Sequence, residues 1–298
     1  MTKIVLILGA TGRFGSNATA AFEQAGWTVR RFDRKRDTLD TAARGVQVIV
    51  NGWNPAYSKW NAQVLQMQPA VHTAALANDA TVIIPGNVYV FGADTPVPWS
   101  ETSNHGATNL LGRIRIQLER GYRDAGVRTI ILRAGDFLDT TTSGNWFDKV
   151  MTTGLAKGTF TYPGNTEIDH AWGYLPDVAR AAVLLAEQRD KLARFEDVPF
   201  PGYTLSGAQL GRAIASARGH DVRVKQMAWW PLRLLRPVWA EVKHFFEMRY
   251  LWNTPHSLDD AKFNRLLPEF EHTPLDVALA KATAHIPRSN ASAQLVTA

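Results

Sequence analysis

Cysteine is absent from this 298-residue chain. That removes disulfide frameworks, Cys-ligated zinc, iron–sulfur clusters and thiolate nucleophiles from consideration. It does not choose a redox compartment. Long apolar runs are missing too: none approaches the roughly 20 residues that a membrane-crossing helix needs. The opening Met1-Thr-Lys-Ile-Val-Leu-Ile-Leu-Gly9 is not a signal peptide, because its apolar stretch is five residues and runs straight into a glycine turn. Lysine is scarce in the middle, with none between Lys59 and Lys149. What is present is a hydrophobic content of 45% with 20% charge, the balance of a folded chain. The length suits one large α/β domain or two unequal lobes. A net charge of +6 favours anionic partners: nucleic acid, an anionic membrane surface, or phosphate-bearing small molecules.

Ile4–Leu8 is a continuous apolar run rich in β-branched residues, which is how a strand buried on both faces reads. Gly9-Ala-Thr-Gly12-Arg-Phe-Gly15 follows at once. Phe14, Ala18, Ala21, Phe22 and Ala25 then repeat at helical spacing, with Gly26 as the stop. Trp27–Phe32 is a second strand. The next unit is trimmed: Thr38–Arg44 holds about two helical turns before the buried strand Val46–Val50. A helix near Tyr57–Asn78, a strand Thr81–Ile84, a helix near Ala107–Ala125 and a strand Val127–Leu132 continue the alternation. Strands alternating with helices predict an α/β fold: a Rossmann-type doubly wound parallel sheet, here with a smaller C-terminal substrate lobe. The expected division is a dinucleotide-binding domain over 1–198 with a substrate-loop insertion at about 136–172, a small, mostly helical lobe over 199–286, and a frayed tail over 287–298. Tyr174–Gln188, Ser206–Arg218 and Pro274–Ala284 read as further helices.

Glycines at 9, 12 and 15 stand between a strand and a helix. The first permits a tight turn, the second lets backbone approach a phosphate, and the third lets helix pack on strand. The helix N-terminus then holds a pyrophosphate. Gly9, Thr11, Gly12, Arg13, Phe14 and Gly15 are therefore candidate cofactor contacts. At the end of the second strand an acid favours NAD and a base favours the 2′-phosphate of NADP. This chain offers Asp33 with Arg34 and Arg36, and several guanidiniums against one carboxylate tip the reading toward NADP, with NAD as the alternative. Asn51, after the third strand, is a further candidate contact.

Val90-Phe-Gly92, with Pro96, Pro98 and Glu101 behind it, resembles the extended and atypical short-chain dehydrogenase/reductase superfamily. Within it, an NAD-dependent epimerase/dehydratase-like family is closer. The matching pieces are Pro85-Gly-Asn-Val-Tyr-Val-Phe-Gly92, Gly112-Arg-Ile-Arg115 with Glu119, Arg133-Ala-Gly-Asp-Phe137, and Met248-Arg-Tyr-Leu-Trp252 with Leu258-Asp259. The resemblance implies hydride transfer to or from a nicotinamide, with a Tyr-x-x-x-Lys pair and a Ser or Thr handling the proton. This chain departs from that pattern. The residues four after its seven tyrosines are Asn61, Ala93, Gly126, Thr166, Val178, Gly207 and Thr254. Aligning Glu119 with the family's glutamate puts Leu111 at the tyrosine position, Arg115 at the lysine position and Asn87 at the Ser/Thr position. Arg115 can anchor a ribose but is a poor proton shuttle. Tyr89, beside Asn87, and Asp136 after the Arg133 strand sit where ligands bind in open α/β sheets. His170 lies in a loop expected to face substrate, and histidine is the side chain suited to proton transfer near physiological pH. These four, Tyr89, Asn87, Asp136 and His170, are the candidate catalytic residues; His105 ranks below them. No metal is expected, because no His/Glu pairs carry metal-ligand spacing.

Trp229-Trp-Pro-Leu-Arg-Leu-Leu-Arg-Pro-Val-Trp239 mixes aromatics with arginine. It suits a membrane-surface helix, a lid over an apolar substrate, or a substrate-lobe core with two snorkelling arginines. The last is favoured, since Pro231 and Pro237 limit a long helix. Residues 225–250 carry five Lys/Arg against two Glu, too few for a nucleic-acid stripe. The expectation is a cytoplasmic NAD(P)-dependent oxidoreductase or epimerase-like enzyme for a small carbonyl, hydroxyl or sugar-type substrate, monomeric or homodimeric, without nucleic-acid or membrane partners. The alternative is a non-catalytic NAD(P)-binding sensor.

Overall fold

A computed structural model describes residues 3–287. Its strands are β1 (Ile4–Leu8), β2 (Thr28–Phe32), β3 (Val48–Asn51), β4 (Thr81–Gly86), β5 (Thr129–Arg133), β6 (Asp136–Leu138), β7 (Thr159–Tyr162), β8 (Ala171–Tyr174), β9 (Phe195–Pro199), β10 (Tyr203–Thr204) and β11 (Arg223–Gln226). Its helices are α1 (Arg13–Gln24), α2 (Leu39–Ala42), α3 (Tyr57–Gln63), α4 (Gln68–Ala77), α5 (Leu110–Asp124), α6 (Leu175–Glu187), α7 (Gly207–Arg218), α8 (Trp230–Leu235), α9 (Glu241–Met248), α10 (Ala261–Leu266) and α11 (Leu275–Ala282). The frayed tail expected from 287 lies, beyond Pro287 itself, outside the described residues.

Six strands form a wholly parallel sheet in the order β2-β1-β3-β4-β5-β9. Both faces are covered, which is why β1 lacks alternation. Leu6 and Leu8 enter the core beneath α3, α4 and α5, whereas Val5 and Ile7 pack toward α1 and α6. The chain turns back at β1: β2 pairs on one side and β3 on the other. This reversal opens a crevice at the strands' C-terminal edge, where α/β sheets bind ligands. The register lines up Leu8 with Phe32 and Asn51, bringing the ends of β1, β2 and β3 to that edge together.

The trimmed crossover is real and shorter than expected. α2 is a single four-residue turn capped by the Thr38 hydroxyl, and among the described residues no strand pairs outside β2. The helix expected over 57–78 is two helices. Pro69 stands in the first turn of α4, lacking the N–H and crowding the backbone that a continuous helix would require. The chain after Arg133 builds two small sheets, β10-β8-β6 and β11-β7, around a third core centred on Phe147, Phe160, Tyr162, Trp172 and Trp252. α7 opens with a capping box: Ser206 accepts from the Gln209 N–H and the Gln209 side chain returns the bond.

The aromatic C-terminal stretch differs from its expected packing. Trp229 is inside, but Trp230, Leu234 and Val238 are 70%, 71% and 84% exposed. Hydrophobicity alone could not separate neighbours that face opposite ways.

Candidate active site

The glycine turn packs backbone against backbone. Gly9 has φ of +76°, a conformation that favours glycine, and its carbonyl accepts the Gly12 N–H at 2.9 Å. A Cβ on Gly15 would sit 2.1 Å from the same carbonyl oxygen, so α1 can approach β1 this closely only without a side chain there. The first turn of a 12-residue helix thus aims its N–H groups and positive dipole end at the crevice. Thr11 is exposed beside it, while Phe14 is buried and packs in the core.

Asp33 follows the last residue of β2. Its carboxylate accepts the Lys35 N–H at 2.9 Å and lies 3.7 Å from the Arg36 guanidinium. Arg34 and Arg36 are exposed. Arg13 reaches across the crevice: its Nε donates to the Ser143 carbonyl at 2.9 Å and a second nitrogen donates to Gly144. The guanidinium ties the glycine turn to the 140–144 loop. Asn51 is buried, and its amide nitrogen donates to Gln68 and to the Tyr122 hydroxyl.

On α5, Leu111 is fully buried and Arg115 donates to the Pro85 carbonyl at 2.9 Å, leaving its Nε without a partner among the described residues. Arg133, wholly buried, donates to both carboxylate oxygens of Glu119 and of Asp197 and to the Asn87 carbonyl. Burial works against the Glu119 carboxylate, yet the guanidinium outweighs it and holds its pKa below the usual range. His105 lies 4.0 Å from each carboxylate. That cluster has the reach to ligate a cation, but Arg133 already supplies its positive charge.

Beside this ion cluster lies a hydroxyl pair. The Asn87 side chain accepts the Tyr89 N–H and starts a short 3₁₀ turn. That turn delivers the Tyr89 hydroxyl to the Tyr57 hydroxyl at 2.5 Å. Burial raises both pKa values above the ordinary tyrosine range, and Asp136 pushes the same way. Both rings are therefore neutral hydroxyls at physiological pH. Asp136, at the start of β6, accepts from His170 Nε2 at 2.9 Å. The His170 ring stacks on Trp252 at 4.4 Å and 2° and meets His256 at 4.4 Å. Burial, with His170 alongside, lowers the His256 pKa to about 3, although the Thr254 carbonyl works against this. Asp136 is the partly exposed member of its pair, 20% against 1% for His170.

The structure thus brings Tyr89, Asn87 and Asp136 to one edge with His170 behind Asp136. It adds Tyr57, which lies 32 residues from Tyr89 and carried no motif. It also adds α9, which closes one side. Glu241 accepts the Tyr57 and Ser58 N–H groups at 3.0 and 2.8 Å, capping α3. Glu247 accepts the Leu111 N–H at 2.7 Å, in the first turn of α5. No local pattern announces a cap supplied from 184 residues away.

No family model matches this chain, and no curated protein matches its sequence. Solved structures do match its fold. UDP-glucose 4-epimerase from Brucella ovis, in complex with NAD, superposes with a TM-score of 0.73 at 17% identity, over 96% of this chain and 98% of that one. MoeE5 in complex with UDP-glucose and NAD gives 0.72 at 14% identity, over 95% and 97%. A GalE-like L-threonine dehydrogenase from Cupriavidus necator gives 0.72 at 19% identity, over 96% and 100%.

Proposed function

We propose, from the Rossmann-type fold that this chain shares with an NAD-bound UDP-glucose 4-epimerase, with MoeE5 bound to UDP-glucose and NAD, and with a GalE-like dehydrogenase, that it is an NAD-dependent oxidoreductase or epimerase acting on a hydroxyl or carbonyl carbon of a sugar-type substrate, and that it moves the proton without a Tyr-x-x-x-Lys pair. The observation that carries the reading is the glycine cradle: a left-handed Gly9 and a Gly15 that leaves no room for Cβ, at the sheet's switch point. The cradle fits a pyrophosphate, and the unpartnered Arg115 Nε fits a ribose oxygen. Asp33, standing where a ribose hydroxyl would be met and drawing Arg36 toward itself, favours NAD over the NADP suggested by arginine count. The NAD held by the epimerase and MoeE5 structures points the same way.

When bound, the nicotinamide supplies or accepts the hydride. The chain's own task is the proton. As a substrate hydroxyl is oxidised, its proton leaves through the Tyr89–Tyr57 pair toward the Asp136 carboxylate. In reduction the pair returns a proton to the carbonyl oxygen. Raised pKa values make the two tyrosines hydrogen-bond donors rather than phenolates, so Asp136 is the basic group and His170 fixes its orientation. Asn87 positions Tyr89 through the backbone. Arg133 holds the Asn87 carbonyl and so fixes the turn on which Tyr89 rides.

A second reading is a dinucleotide-binding protein without turnover. Leu111 favours it, being a core residue where the family's proton donor stands. Two measurements separate the readings. A thermal shift with saturating NAD⁺ or NADH is expected to raise the melting temperature by about 5 °C or more, from about 2.7 kcal/mol at a hundredfold excess over Kd. Turnover of UDP-glucose with NAD⁺, read as net nicotinamide absorbance for oxidation and as the chromatographically resolved sugar epimer for epimerisation, then selects the enzyme; binding without either product from any UDP-sugar selects the sensor.

A further inference from the structure

Five of the nine large apolar side chains that stand exposed among the described residues fall within ten positions: Trp230, Leu234, Leu235, Val238 and Trp239. The segment is anchored at its root. Trp229 is buried, donates its indole N–H to the Pro163 carbonyl, carries the Arg249 guanidinium 5.1 Å above its ring, and packs edge-on against Phe246. Leu232 packs toward the same core. The inward side of α8 is therefore satisfied, whereas its outward Trp230, Leu234 and Leu235 stand exposed among the described residues; Trp239, beyond the helix, is half-covered by the Phe245 ring. Patches of this kind mark interaction sites.

Charge identifies what fits. Between Asp221 and Glu241 there is no acidic residue, while Arg223, Lys225, Arg233 and Arg236 lie there, and Lys243 follows on α9. Arg233, Arg236 and Lys243 are exposed. The next two acids face inward: Glu241 binds the N–H groups of α3, and Glu247 those of α5 and the His244 ring. The patch thus presents tryptophan and aliphatic groups beside Arg233, Arg236 and Lys243, which make no ion pair among the described residues. A second copy of this chain would set like charges against one another. A bilayer interface with anionic headgroups answers both halves: aromatic and aliphatic groups enter the acyl boundary while guanidiniums stay with phosphates. We infer that residues 230–239 dock this protein peripherally on an anionic lipid surface. The inference is independent of the reaction assigned to the crevice. The patch is also continuous with α9, so the docked face adjoins the helix that closes the site.

The full chain is to be sedimented at low salt with vesicles of phosphatidylcholine alone, and with vesicles containing about one-third phosphatidylglycerol. Expected is binding to the anionic vesicles that weakens as salt rises. Arg233→Gln with Arg236→Gln should weaken it about 25-fold, at about a fivefold loss per basic residue. Trp230→Ser with Val238→Ser, both solvent-facing, should abolish it while leaving the melting temperature and cofactor shift unchanged. Failure to bind anionic vesicles overturns the inference, as does equal binding to neutral ones. Concentration-dependent dimerisation in analytical ultracentrifugation, abolished by Trp230→Ser and without vesicle binding, assigns the patch to a second copy instead.

Discussion

Replacing Arg133 with methionine removes the guanidinium that bridges two buried carboxylates. Arg133 is 0% exposed, and it bonds both oxygens of Glu119 and of Asp197, whose side chains are 4% and 9% exposed. Breaking a buried pair by removing one partner costs about 3–5 kcal/mol, because the remaining charge has neither water nor counter-ion. Here two such charges face each other, so the upper end is expected at pH 8. The sign with pH follows from linkage. In the wild type Glu119 sits below its ordinary pKa, so its contribution is present above that value and is lost as pH falls through the folded one. In Arg133→Met both folded carboxylate pKa values rise by burial and mutual repulsion. Protonation then stabilises the fold, and that stability is lost as pH rises. Urea unfolding at pH 5 and pH 8 should therefore show a markedly smaller deficit at pH 5. Adding Glu119→Gln and Asp197→Asn should recover most of it at pH 8. A deficit under about 1 kcal/mol, the same at both pH values, would refute this account of the cluster.

Tyr89→Phe and Tyr57→Phe should each lower turnover about 100-fold or more while leaving NAD⁺ affinity within about twofold, read by steady-state kinetics and a binding titration; loss of affinity alone would make them binding residues. Gly15→Ala places a methyl 2.1 Å from a backbone oxygen, so it should cost about 1–3 kcal/mol in urea and abolish the cofactor-induced melting shift. His256, with its pKa lowered to about 3, is neutral in the fold. Since the unfolded chain takes its proton at a higher pH, stability should fall as pH drops from about 6.5 toward 3, and His256→Gln should flatten that slope in acid melts.

The fold was legible where local chemistry and tertiary fate coincide. A continuous Val/Ile/Leu run before a glycine turn has few destinations, so β1, the turn and α1 are found within a residue or two of where spacing puts them. The break at Pro69 was visible in principle, but the apolar spacing on either side masked it. The site was legible only in pieces. Asp136 and His170 stood out separately as residue types near loops, but their 2.9 Å contact joins positions 34 residues apart, and no sequence spacing encodes it. Tyr57 was invisible as a partner because nothing in Tyr-Ser-Lys-Trp points toward Tyr89. Arginine count pulled the cofactor reading toward NADP, whereas the proposal of NAD rests on Asp33 at the end of β2, a single carboxylate that arginine count outvotes. At residues 229–239, composition gave hydrophobicity without direction, and the split between buried Trp229 and exposed Trp230 exists only once the lobe is folded.

The most direct test of the central claim is a crystal structure of the protein with NAD⁺. The pyrophosphate is expected on the N–H groups of the Gly12–Gly15 turn, with a ribose hydroxyl on Asp33. The nicotinamide ring should lie at the strand edge, where a substrate oxygen beside it meets the Tyr89 hydroxyl within about 3 Å. A dinucleotide bound elsewhere, or one whose nicotinamide end lies far from Tyr57, Tyr89 and Asp136, would contradict the account.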